Sequence, residues 1–164
     1  MKTKLVLALL STCVVAGSAA AFAETLYPVQ GPLAAQASPP AMKLNFHGST
    51  SGNFSLVQTS GETFQGKWAS VTPAFVNNKT PENPASYLPQ PNLAFAWDAV
   101  YGQGYFVGQV LGTRIRQAVA TGDKGTVVQV ECLYGDQRFP GVPNFGFNGV
   151  AVDSKGNLYK VVFP

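Results

Sequence analysis

Any Ser–His or Cys–His nucleophile in this chain would have to use His47, because no other histidine is present. His47 closes an alternating run, Met42 to His47, on its polar face, a position that suits a surface residue. Cys132 stands among Val128 and Val130, where a thiol is buried and inert rather than nucleophilic. With one histidine and no closely spaced carboxylates, there is no metal-ligand cluster, and no cofactor is implied. Hydrolysis by paired carboxylates would draw on Glu24, Glu62, Glu82, Asp98, Asp123, Glu131, Asp136 and Asp153. Of these Asp98 is the hardest to assign elsewhere. It follows Trp97 and can approach Arg114 or Arg116, so the choice lies between a hydrolytic acid and a structural ion pair. The expected binding surface is where these groups meet: Trp97, Asp98, Tyr101, Arg114 and Arg116. The aromatic loop with Phe139 and Phe145 comes second.

Other chemical patterns fail on spacing or context. Gly102-Gln103-Gly104-Tyr105-Phe106-Val107-Gly108 is one residue too long for a dinucleotide loop and follows a helix, where that loop needs a strand before it and a helix after. Gly149 to Tyr159 is similar to one strand pair of an NHL-type propeller, but the unit occurs once. It also fails as a calcium loop, since Lys155 replaces an acidic ligand and no Glu follows. Asn78-Lys79-Thr80 fits a glycosylation sequon too short to carry weight.

The elements that must position these residues are mostly strands. Met42–His47, Asn53–Gln58 and a run from Glu62 to about Val71 form a meander. The loop Thr59-Ser60-Gly61 sets Gln58 opposite Glu62 and Leu56 opposite Phe64, with Gly66 leaving room opposite Phe54. Five prolines between Thr72 and Asn92 exclude regular structure over most of that stretch. Asn92 to Gly102 reads as a helix capped by Asn92, with Leu93, Trp97 and Val100 or Tyr101 on one stripe. Tyr105–Leu111 reads as a strand. A hairpin follows around Gly122-Asp123-Lys124-Gly125. Pairing Thr121 with Thr126 there sets Ile115 against Cys132 and Arg116 against Glu131 as a cross-strand ion pair. The last hairpin joins Gly149–Val152 to Leu158–Phe163. The expected fold is mainly β: an antiparallel sandwich or partly closed barrel of about eight strands, with one short helix over an edge or mouth.

Composition agrees. The chain of 164 residues is long enough for one domain, and its 12% charged residues are about half the usual share. Lys2 and Lys4, the apolar run Leu5 to Gly17 and the site Ala21-Phe22-Ala23 form a cleavable export signal over residues 1–23. The run is short and interrupted for a membrane anchor. Leu10-Ser11-Thr12-Cys13 offers a lipobox as an alternative, which would lipidate Cys13 and tie the chain to a membrane. The precursor charge of +3 owes two of its lysines to the signal, so nothing argues for nucleic acid. Residues 24–41, rich in Pro, Ala and Gln, read as an extended tether with Tyr27 or Leu33 docking on the domain, and residues 42–164 as the β domain.

The signal, Tyr27 to Leu33, Trp97 to Gly102, Gly125 to Glu131 and Gly156 to Lys160 together resemble small exported bacterial envelope proteins of uncharacterised families. The resemblance brings no function with it. The expectation is a non-enzymatic module, periplasmic or secreted, that binds an envelope protein or cell-wall component or serves structurally. The alternatives are a small hydrolase of envelope glycan, using Asp98 and a second carboxylate, and an outer-membrane barrel, since Tyr159, Val161 and Phe163 alternate up to the C-terminus.

Overall fold

A computed structural model describes residues 24–59, 61–73, 93–133 and 148–163. The signal segment, the lipobox at Cys13, the sequon at Asn78, the cap at Asn92 and the Phe139/Phe145 loop lie outside these residues. Eight strands make one closed antiparallel barrel: β1 (Glu24–Gln30), β2 (Met42–His47), β3 (Ser51–Gln58), β4 (Thr63–Val71), β5 (Ile115–Gly122), β6 (Val127–Leu133), β7 (Gly149–Asp153) and β8 (Leu158–Val162). Each pairs with its chain neighbours, and β1 also pairs with β8, so no sheet edge is left open.

The alternation along β2, β3 and β4 sorts side chains as the sequence predicts. Met42, Leu44, Phe54, Leu56, Phe64 and Trp68 point inward and are buried, while Lys43, Asn53, Gln65 and Lys67 face out. The register agrees: Leu56 faces Phe64, Phe54 faces Gly66, and Gln58 N–H donates to the Glu62 carbonyl at 2.9 Å. With Val128, Val130, Cys132, Tyr159 and Val161 from the later strands, these residues fill the barrel. Each fully buried large side chain there contributes about 1.5–3 kcal/mol.

A second apolar layer lies outside the barrel. Helix α1 (Ala94–Tyr101) packs on the outer wall at β7 and β8, and Leu93, Ala96, Trp97, Phe106 and Val110 cover Ile115, Val150 and Leu158. The helix therefore covers a wall, not the expected edge or mouth. Leu93 stands at its N-cap with no side-chain cap, and Gly102 ends it at φ +110°, as expected.

Three sequence expectations need correction. Glu24–Gln30 is no tether; it is the strand that closes the barrel. Pro28 obscured it, but the pairing with β8 shifts register between Pro28 and Gln30, and a bulge tolerates the missing N–H. Leu33 does dock on the core. Phe106–Val110 is a π-helical turn rather than a strand, because Asp98 Oδ1 accepts the Phe106 N–H at 2.9 Å and removes it from any ladder. The β5–β6 register is one residue from the expected one. Gly122 N–H donates to the Thr126 carbonyl at 2.7 Å, leaving a three-residue loop with Gly125 at φ +80°. Ile115 therefore faces Leu133, Arg116 faces Cys132, and Gln117 faces Glu131. Arg116 points into the barrel and Glu131 away from it, so the expected ion pair between them does not form. The physical reason is that both rows of β5 are partly buried and both mix apolar with polar residues: Ala118 and Ala120 with Arg116 face the core, and Ile115 with Gln117 lies outside, so alternation cannot choose between registers.

Candidate functional site

The five residues expected to form a binding surface do not converge. Trp97 is fully buried against the outer wall, its indole N–H donating to Glu131 Oε2 at 2.7 Å. Its ring stacks with Tyr101 and Tyr105, at centroid distances of 5.6 and 5.9 Å. The Tyr101 hydroxyl donates to the Gly149 carbonyl at 3.1 Å and accepts from the Gly149 N–H at 3.2 Å, which pins the helix to β7. Burial raises the Tyr101 pKa to about 12. Asp98 serves the π-helical turn, as described. Arg114 is exposed just ahead of β5. Arg116 lies on the far side of the wall, inside the lower mouth. Its guanidinium stands 3.7 Å from Glu24 Oε1 and about 5 Å from the ring centres of Phe46 and Trp68 (4.9 and 5.1 Å).

The other candidates for acid, base or nucleophile are held in the same way. Glu131 is buried, and that burial raises its pKa against the hydrogen bonds from Trp97, Gln117 and the Leu93 backbone. Burial also raises the Glu24 pKa to about 7, with Arg116 opposing. The Cys132 thiol is buried and pushed well up by desolvation, so it is no thiolate nucleophile. His47 is exposed, as expected. Among the described residues no group of three or more His, Cys, Asp and Glu side chains gathers as metal ligands.

The upper mouth is different. It is an open cup of about 780 Å³, within the roughly 300–1,000 Å³ range of small-molecule sites. The hairpin ends of β3–β4, β5–β6 and β7–β8 form one side, and residues 36–41 with Leu33 form the other. The last inward positions of these hairpins are polar: Gln58, Glu62, Thr126 and Asp153. Glu62 and Thr126 are 4% and 3% exposed. Glu62 folds into the mouth because Gly122 has no side chain, and a Cβ there would collide with Glu62 Oε1 and Phe64. Lys155 Nζ stands 3.5 Å from Glu62 Oε2, with more than half of its side chain in solvent. Glu62 Oε1 and Thr126 Oγ1 are buried without a hydrogen-bond partner. Asp153, by contrast, is saturated. Its Oδ1 accepts from the N–H groups of Lys155 and Asn157, and its Oδ2 from the Asn157 amide and the Tyr159 hydroxyl.

The sequence conceals this cup, because Leu33 and residues 36–41, which form one side of its wall, read as tether. The available signal was the run of polar residues at hairpin ends whose neighbours two positions away, Leu56, Phe64 and Val128, are core. Comparison with protein-family models, with curated proteins and with solved structures gave no match.

Proposed function

We propose that the chain is an exported, non-enzymatic module of the cell envelope that acts by binding a partner or ligand at the upper mouth of its barrel. The observation that carries export is the segment ahead of the barrel: Lys2 and Lys4, the apolar run Leu5 to Gly17 and the small-residue site Ala21-Phe22-Ala23. Cleavage after Ala23 would keep Glu24–Gln30, the strand that closes the barrel, in the mature chain. Binding rather than turnover is supported by the fate of the reactive groups. Asp98, Glu131 and Cys132 are consumed in holding the fold, whereas Glu62 Oε1 and Thr126 Oγ1, on residues that line the cup, are left without partners. The two faces of the sheet speak against an outer-membrane barrel. Here the interior is packed with apolar side chains and the outer face of β2–β4 carries Lys43, Asn53, Gln65 and Lys67, the reverse of what lipid requires.

Expression of the full chain in an export-competent bacterium, followed by fractionation and intact-mass measurement, tests this reading. A soluble envelope species beginning at Glu24 is expected. An uncleaved chain in the cytoplasm would overturn it. Labelling by palmitate that Cys13→Ser abolishes would move the protein to a lipid anchor. Turnover of a cell-wall glycan, lost in Asp98→Asn without loss of folding, would replace binding by hydrolysis.

A further inference from the structure

The cup at the upper mouth holds a pattern of charge and hydrogen-bonding capacity that selects among ligand classes. Two polar atoms there, Glu62 Oε1 and Thr126 Oγ1, are buried and lack partners, on residues more than nine-tenths buried. An unsatisfied buried polar atom destabilises the free protein, and a ligand that reaches and satisfies it removes that cost. Glu62 Oε1 can only accept, so the ligand must present a donor. Thr126 Oγ1 can accept or donate.

Charge narrows the class further. Glu62 is already offset by Lys155, whose ammonium lies 3.5 Å from the other carboxylate oxygen, and the lining's remaining charged groups, Asp153 and Lys124, are one of each sign, so the cup carries no net charge. A cationic ligand brought to Glu62 meets Lys155 beside it. An anionic one meets the Glu62 carboxylate, and Asp153 has no oxygen to spare for either. A hydroxyl group fits where both charged groups fail. It donates to Glu62 Oε1 and accepts from Lys155 or Thr126 without adding charge. Beside this polar floor Leu33, Pro39 and Pro40 offer accessible apolar surface suited to the C–H faces of a ring, with Phe64 and Tyr159 buried beneath.

We infer that the upper cup is a binding site for a neutral, hydroxyl-rich ligand, a short saccharide, held by Glu62, Thr126 and Lys155. The inference deepens the binding reading above, and it does not rest on export. Saccharide binding by the purified chain and cleavage before Glu24 can each fail while the other stands.

Titration calorimetry on the purified chain with three pyranose probes tests it: N,N′-diacetylchitobiose as the neutral sugar, glucosamine as the cation and glucuronate as the anion. Saturable binding of the neutral sugar with Kd of about 1 mM or tighter is expected. Glu62→Gln and Thr126→Val should each weaken it about tenfold, with thermal unfolding confirming that the variants fold. Lys155→Met changes a mostly exposed side chain and should weaken it several-fold with the fold intact. Lys43→Met on the outer wall should leave it unchanged. Preference for glucosamine or glucuronate would overturn the inference. So would neutral-sugar binding that the three cup variants leave unaltered, or the absence of saturation by any probe at about 50 mM.

Discussion

Trp97 and Glu131 meet on the outer wall of the barrel, where the indole N–H donates to a carboxylate oxygen across 2.7 Å and both residues are buried. Gln117, opposite Glu131 in the β5–β6 ladder, donates to the other oxygen at 3.1 Å. With the Leu93 backbone N–H as a third donor, one carboxylate therefore joins helix to sheet through neutral partners alone. The arrangement explains why an acid sits under an apolar helix: each oxygen accepts a hydrogen bond, so its burial is tolerated.

Trp97→Phe should keep much of the apolar contact while removing the indole donor from Glu131 Oε2. Loss of about 1–3 kcal/mol in denaturant unfolding is expected. In the double variant with Glu131→Leu the acid is gone as well, and the cost should be less than the sum of the two single changes. Additive costs would mean that the hydrogen bond contributes nothing.

Glu24 gives a pH dependence opposite in sign to that of an ordinary salt-bridged acid. Burial raises its folded pKa to about 7 from 4.5, so between these values the folded chain keeps a proton that the unfolded chain releases. Stability should fall as pH rises from about 4.5 to about 7 and level off above, and Glu24→Gln should flatten that part of the profile. The chain that retains the residues before Glu24 should show the full window. In a chain that begins at Glu24 the new α-ammonium on that residue favours the carboxylate, and the window should narrow.

Asp98→Ala removes the acceptor that holds the Phe106 N–H at the start of the π-helical turn. A loss of about 0.5–2 kcal/mol is expected, as for other side-chain caps. Asp98→Asn keeps an acceptor oxygen and should recover most of it. Equal losses in the two variants would show that the charge, rather than the acceptor, matters.

What could be read from the sequence followed from how many faces of each strand are covered. Strands β2 to β4 have one apolar and one polar face, so Phe54, Leu56, Phe64 and Trp68 announced both their strands and their pairing. In β5, Ile115 and Gln117 are buried on one side and Ala118 and Ala120 on the other. Nothing local marks which row faces the core, and the register slipped by one. Pro28 disguised β1, because its tolerance depends on a bulge against β8, at the opposite end of the chain. The cup was hidden for a related reason. Glu62 and Thr126 are unremarkable loop-flanking residues until closure of the barrel turns them inward together.

Gly122 is the residue on which the shape of that cup depends. It lies within β5 at its upper end, paired through its N–H with Thr126, and its Cα is overlaid by Glu62 and Phe64. Gly122→Ala introduces a Cβ that collides with Glu62 Oε1 and would sit 2.8 Å from Phe64 Cε1, closer than carbon atoms approach without displacement. The flexible carboxylate can yield by turning toward Lys155 and solvent, whereas the Phe64 ring is held in the core. A stability loss of about 1–3 kcal/mol is therefore expected, from overpacking rather than from backbone strain. In Gly122→Ala/Phe64→Leu the smaller side chain relieves the ring contact and should recover part of the loss. No recovery would place the strain in the Glu62 carboxylate, and Gly122→Ala/Glu62→Ala should then recover it instead.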